Sequence, residues 1–312
     1  MNRLAPPDLA GLAALRPLLG EINDLKRVHR AGRPGSHAGR GFARSWAALV
    51  AGDPPARVAL LETAAAVAAA RLGAIDAVIL ARAGLTPGEV RGVLGAAVNA
   101  AAGHLDPVTL DGIRDAVDEL PEYLDRFEGP GTVPVWVGLL ADQPRAGATR
   151  PGRPRLVLEP AESHAEHCYI TAVYGVLIAS HFNAGPAVPF LAGLAHHLHN
   201  AYLPDSGFAG EELLGHHLAE VMARFVADAL VELPEALAAE ASEARRVLLH
   251  ADTLEARAFH AADVLDRVLQ MAQYARAAAF ELSQALDDLD LVHPGPLQSF
   301  QLEVLSGAGL RP

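Results

Sequence analysis

Ten of the fourteen histidines lie between His164 and His260, a stretch that is under a third of the 312-residue chain. They come in groups: His164 and His167 in Glu162-Ser163-His164-Ala165-Glu166-His167; His196, His197 and His199 in Leu194-Ala195-His196-His197-Leu198-His199-Asn200; His216 with His217; then His250 and His260. Neutral imidazole is the commonest protein ligand for zinc, iron, nickel and copper, so a metal centre is the chemistry this clustering points to. A lone histidine on an amphipathic helix is ordinarily a satisfied or exposed residue, and it is the grouping that carries the reading. His164 and His167, three apart, share a helix face, whereas the adjacent His196 and His197 can converge only at a helix end or on a curved face. Asp263 offers the missing carboxylate. Its neighbours at 261, 262, 264, 265 and 268 are apolar, so it is expected to be partly buried and to need a partner. Asp266, three residues on, reads more simply as a solvated helix acid.

The single cysteine, Cys168, excludes an intrachain disulfide and thiolate-rich zinc or iron–sulfur sites, leaving His, Asp and Glu as ligands. A net charge of −12 argues against general nucleic-acid binding, which depends on neutralising phosphates with Lys and Arg. No run of about 18 uncharged apolar residues offers a membrane span, and the N-terminus lacks the apolar stretch of a secretory signal, so the expected location is cytoplasmic.

The elements that must position these residues are helical almost throughout. Apolar positions recur at three- and four-residue spacing over 8–128, and predicted helices cover 8–30, 40–51, 55–72, 74–83 and 87–102. Thr86-Pro87-Gly88-Glu89 is the clearest start signal, a capping box with Pro at the first helical position. From 129 to 160 Pro and Gly recur. The apolar runs Val133–Leu140 and Arg155–Leu158 there suit a short hairpin or an extended linker. The helical pattern then resumes, with a loop around 200–210, a helix opened by Pro234 and a break at Pro294-Gly295-Pro296. The expected fold is all-α: a helical N-terminal domain of unassigned role over 1–128, the linker over 129–160, and a metal-binding helical domain over 161–312.

The order of His167, the His196-His197 pair and the distant Asp263 resembles the HD-domain superfamily of metal-dependent phosphohydrolases, and within it the 5'-deoxynucleotidase-like branch. Glu162–His167 is similar to that branch's Glu-Ser-Val-(Ala/Ser)-(Glu/Asp)-His, and Leu194–His197 to its Leu-(Val/Phe)-His-Asp. Asp263–Tyr274 resembles its Asp-Lys-Phe-Asp-Met-Ile-Leu-Gln-Ala-Phe-Glu-Tyr segment, and His293–Phe300 its C-terminal end. The resemblance covers about 160–305 and implies an HD-like helical bundle. It implies His167, His196, His197 and Asp263 as ligands of a divalent transition metal (Mn, Co, Fe, Ni or Zn), with Asp205 orienting substrate or water. A small phosphorylated substrate follows, a nucleoside monophosphate or similar phosphoester. The family and the Ala-rich helix faces make a homodimer the expected assembly.

Two positions depart from that pattern. The family's Asp is His197 here, which makes a divalent centre more positive and favours nitrogen-loving metals. The Glu expected four residues after His196 is Asn200, an amide that can hold a water but cannot move a proton, so His199 or Asp205 must act in its place. The resemblance also implies an arginine that receives the substrate phosphate, and Arg153 and Arg155, ahead of Glu162, are the candidates. Two alternatives to hydrolysis are carried: a degenerate HD fold that binds a nucleotide or partner without turnover, and a dinuclear-iron oxygenase using extra histidines such as His217 and His250. Lys26, Arg27, Arg30, Arg33, Arg40 and Arg44 form a basic cluster against Asp24, which suits either an anion or a solvated helix end.

Overall fold

The computed structural model describes residues 7–127, 132–278 and 281–310. The fold is all-α, with no strand among the described residues. In chain order the helices are α1 (Leu9–Asn23), α2 (His37–Val50), α3 (Pro55–Leu72), α4 (Ala77–Arg82), α5 (Pro87–Ala100), α6 (Pro107–Phe127), α7 (Val135–Asp142), α8 (His164–Ile178), α9 (Ala187–Ala195), α10 (Gly207–Leu214), α11 (Leu218–Leu230), α12 (Glu235–Ala244), α13 (Leu254–Ala278) and α14 (Gln298–Gly307). The Thr86–Glu89 capping box forms as expected at α5.

The first predicted helix is shorter than expected. α1 stops at Asn23, a 3-10 turn covers Asp24–Lys26, and the remaining residues to Ser36 form a loop. Ser36 caps α2 by accepting from the Gly39 amide, which starts that helix earlier than predicted. The run Val133–Leu140, expected as part of a short hairpin or an extended linker, contains most of α7 instead. Its Trp136 is buried edge-on against Trp46 at 4.8 Å and donates to the Ala229 carbonyl. That burial on a helix face decides the matter, since an eight-residue apolar run has no period that separates strand from helix. Downstream the hairpin reduces to two isolated bridges, Pro144 with Ser163 and, further into the loop, Ala148 with Leu156. Gly147 makes the second bridge possible: its φ is +72°, and a Cβ there would lie 2.4 Å from the Leu156 carbonyl.

α8 is the central element, buried over nearly its whole length and packed against α2, α3, α9 and α13. One contiguous apolar core runs from Leu12 to Ala308, so α1–α3 share it with the helices that follow the loop. α8 and α9 approach closely because two glycines remove side chains between them. A Cβ on Gly193 would come within 2.5 Å of the Ala172 Cα, and one on Gly175 within 3.0 Å of Pro189. This contact sets the spacing of the histidines that the two helices carry.

Candidate metal centre

Local sequence fixes where each ligand candidate sits. Ser163-His164-Ala165-Glu166 is an S-x-x-E capping box: Ser163 accepts from the Glu166 amide and Glu166 from the Ser163 amide, which places His164 and His167 in the first turn of α8. α9 ends at Ala195, and the chain turns through His196 and His197 into a 3-10 turn over Leu198–Ala201. The adjacent pair therefore converges at a helix end. Asp263 and Asp266 come from successive turns of α13.

Hydrogen bonds dictate the tautomers. His167 Nδ1 lies 2.6 Å from Asp266 Oδ2 and His196 Nδ1 2.7 Å from the Gly193 carbonyl. A carbonyl only accepts, and so does an ionised carboxylate, so both Nδ1 atoms donate and both Nε2 atoms carry a lone pair. His197 follows the same rule. Asn200 donates through Nδ2 to the Leu203 carbonyl, which turns Oδ1 toward His197 Nδ1 at 2.7 Å. The Nε2 atoms of His167 and His196 face each other at 3.0 Å, with Asp263 Oδ1 at 3.3 Å and 4.0 Å from them. His167, His196 and His197 each offer a ligand atom within 4.8 Å of the others. Imidazole lone pairs converging beside a carboxylate match the needs of a cation, and three imidazoles with a carboxylate fit a divalent transition metal.

Electrostatics agree with that donor set. Burial pushes His196 and His197 well below the ordinary imidazole value, and the neighbouring imidazoles push further, so both are neutral lone-pair donors. Burial works against ionising Asp263, but the His167 ring 3.3 Å away and the charge of Arg267 outweigh it and hold the carboxyl well below its usual range.

Asp266 is not the solvated acid the sequence implied. It is fully buried and holds His167, accepting 2.6 Å from Lys26 Nζ and 3.0 Å from Asn23 Nδ2. Lys26 also reaches Glu162 at 3.1 Å. Burial opposes the ammonium, yet the two carboxylates raise Lys26 above its ordinary value, and Lys26 in turn helps hold Asp266 below its own. The second close set of potential ligands, Glu162, His167 and Asp266, is thus already satisfied within the chain: the two carboxylates hold Lys26, and His167 Nδ1 donates to Asp266. The local sequence around 266 could not reveal this, because the partners are some 240 residues away.

A cavity of about 360 Å³ opens on the histidines, lined among others by His196, His197, His199, Asn200, Asp205 and Asp263. Glu162, His260, Arg145 and Arg267 also line it. Asp205 accepts from the amides of Ala146 and Gly207 at 2.9 and 2.8 Å and lies 3.4 Å from His164 Nε2. Burial raises its pKa, but His164 and Arg145 overcome that and keep it ionised. Burial lowers His164 to about 4 and His199 to about 3. Arg145 sits beside Glu162, because its amide donates to the Glu162 carbonyl, and its Nη1 is 3.4 Å from His197 Nε2.

Several expectations fall outside this cavity. Arg153 and Arg155 are exposed and do not line it; Arg155 reaches only the carbonyls of Ala146 and Ser206, at 3.4 Å each. The guanidiniums at the site are Arg145 and Arg267, because the bridged loop turns 153 and 155 outward while its start is tied to α8. His216 and His217 are exposed and stack on each other at 3.8 Å, and His250 is exposed too. His217 and His250, the extra ligands expected for a dinuclear-iron site, lie in the segments between α-helices and do not line the cavity. The basic cluster is not a solvated helix end: Lys26 is buried, Arg27 binds Asp24 and Gln270, Arg30 binds Asp76, and Arg44 binds Glu62.

No helix among the described residues is long and apolar enough to cross a membrane. Comparison with curated proteins and with solved structures gives no match. A family model described as HD domain matches residues 137–289. HD domains are all-α and bind divalent metals, and the matched segment contains His167, His196, His197 and Asp263. Residues 137–289, just under half of the chain, are thus similar to an HD domain, a type of domain associated in general with metal-dependent phosphohydrolase chemistry.

Proposed function

We propose that this site hydrolyses a small phosphoester, a nucleoside monophosphate or a compound of that kind, with a divalent transition metal held by His167, His196, His197 and Asp263. One observation carries the reading: the imidazoles of His167, His196 and His197 and the carboxylate of Asp263 converge beside a cavity that also holds two guanidiniums. The bound ion supplies Lewis acidity toward a phosphoryl oxygen. Three neutral imidazoles and one carboxylate leave a positive charge on a divalent centre, which favours a phosphate dianion. Arg145 stands beside His197 to take the remaining phosphoryl oxygens, a role its planar fork suits. Asp266 and Asn200 lock the imidazoles of His167 and His197 by accepting their Nδ1–H protons. Asn200 is thereby committed, so the proton-handling groups are Asp205 with His164, and His199 on the cavity wall. Residues 1–128 contribute Asn23 and Lys26, which fix Asp266 from behind.

The test is phosphate release from 5'-deoxynucleoside monophosphates and simple phosphoesters by protein loaded in turn with Mn, Co, Fe, Ni or Zn. Turnover that disappears in Asp263→Ala and falls at least tenfold in Arg145→Gln is the expected result. Stoichiometric metal with no turnover on any phosphoester would replace this reading with a binding module, and Asn200→Glu would then be expected to create activity.

A further inference from the structure

The match to the HD domain ends at residue 289, yet the chain beyond it also walls the cavity at the candidate metal centre: Leu291, His293, Leu297 and Gln301 all line it. Arg267 ties that wall to the ligand set. Its Nη1 lies 3.5 Å from Asp263 Oδ2, and its Nη2 donates to the Leu291 carbonyl. The residues after 289 are thereby held one side chain away from the ion's carboxylate ligand, on the path that the organic part of a bound phosphoester would take.

Two features of this wall select a particular chemistry. Phe208 of α10 stacks on His293 with ring centroids 4.2 Å apart and planes within 12° of parallel, and both rings line the cavity. Burial first, and then the charge of Arg267, lower His293 to about 4, so the imidazole is uncharged at neutral pH and the pair presents an aromatic surface. Phe208 is kept near the metal centre because the preceding amide, that of Gly207, donates to Asp205 at 2.8 Å. The second feature is Gln301 of α14, which is 7% exposed and whose carboxamide makes no hydrogen bond among the described residues. A carboxamide offers a donor beside an acceptor, and a buried pair of that kind costs stability unless a ligand with the complementary edge meets it.

Resting on the phosphoester reading above, we infer that Phe208, His293 and Gln301 determine specificity: the organic group of the substrate carries a planar heteroaromatic ring that lies against the aromatic pair and meets the Gln301 carboxamide with an adjacent donor and acceptor. Any such ring gains from the stacking surface, whatever its substituents. The carboxamide then rejects rings without a polar edge, because its own donor and acceptor would stay unmet. Sugar phosphates lack the ring and phenyl phosphate lacks the edge, so both are poor substrates for this wall.

Isothermal titration of the full chain with thymidine, 2'-deoxyadenosine, 2-deoxyribose and benzyl alcohol tests this, and since none of these carries phosphate, binding is read without turnover. Each nucleoside is expected to saturate one site, at least tenfold more tightly than 2-deoxyribose or benzyl alcohol. Gln301→Leu and Phe208→Leu should each weaken the nucleosides about tenfold, while Phe208→Tyr, which keeps the ring, stays within about twofold of wild type. The metal content should be the same in all three variants. No saturable nucleoside binding, equal affinity for benzyl alcohol, or wild-type binding by Gln301→Leu would each overturn the inference, and phosphoester turnover that ignores the ring would leave the hydrolytic reading standing without it. Nucleoside binding that depends on Gln301 and Phe208, with no turnover on any phosphoester, would instead overturn the hydrolytic reading and keep the ring site. If Phe208→Leu fails to fold, Gln301→Leu and the ratio of nucleoside to benzyl alcohol affinity still decide it.

Discussion

Replacing Lys26 by Met tests whether the N-terminal helices hold the metal centre in shape. The ammonium sits 2.6 Å from Asp266 and 3.1 Å from Glu162, with its side chain 2% exposed. At an effective dielectric constant of about 20 these contacts amount to about 6 and about 5 kcal/mol of Coulomb attraction. Desolvating the ions costs several kcal/mol each, so the pair adds little relative to an apolar substitute of similar shape. Removing only the cation is different, because Asp266 would remain fully buried with its charge met by Asn23 and His167 alone. The expected loss is about 3–5 kcal/mol, read as the urea-unfolding free energy of metal-free protein at pH 7. Lys26→Met combined with Asp266→Asn should recover about 2–3 kcal/mol relative to additivity, since the double variant strands no charge at position 266. A Lys26→Met loss below about 1 kcal/mol, or simple additivity, would refute the buried network. The same single variant should weaken metal binding about tenfold in competition with a chromophoric chelator, because loosening Asp266 releases the His167 ring.

Other outcomes follow from the same geometry. Gly193→Ala forces a Cβ against the α8 backbone at Ala172, so it should cost about 1–3 kcal/mol in thermal unfolding and reduce metal stoichiometry by separating His196 from His167. Elemental analysis should find metal lost in His167→Ala and Asp263→Ala but kept in Asp205→Asn, and loss in all three would widen the ligand set. Stability should fall as the pH drops from about 6.5. Burial first, and then the charges of Arg44 and Arg40, lower His37 to about 3, so between those values the unfolded chain takes up a proton that the fold refuses. Asp263 and Asp266, whose values are lowered, add a loss of the same sign below about pH 4. His37→Gln should remove up to about 1.4 kcal/mol per pH unit from the slope of urea stability between pH 6 and 4, and an unchanged slope would contradict the burial of a neutral imidazole.

Much of the fold was legible because it is local. Helix starts at Thr86 and Ser163 are written as capping boxes within four residues, and the three- and four-residue apolar spacing gives an all-α chain without reference to distant partners. The ligand candidates were legible for a related reason: imidazoles and a carboxylate are chemically distinctive, and their order along the chain survives folding. Tertiary structure decided what depends on long-range charge and packing. Asp263 and Asp266 look alike in sequence, three residues apart on one helix, yet one faces the cavity and the other is sealed behind His167 by Lys26 and Asn23. Arg145 rather than Arg155 reaches the cavity because two bridges, Pro144 with Ser163 and Ala148 with Leu156, and their backbone hydrogen bonds fold the loop that way. The basic cluster dissolved into separate roles on meeting Asp266, Gln270, Asp76 and Glu62, none of which lies beside it in the chain. Sequence specifies which groups can donate, accept or ligate; which of them meet, and which are left buried and unmet, is settled only when the helices pack.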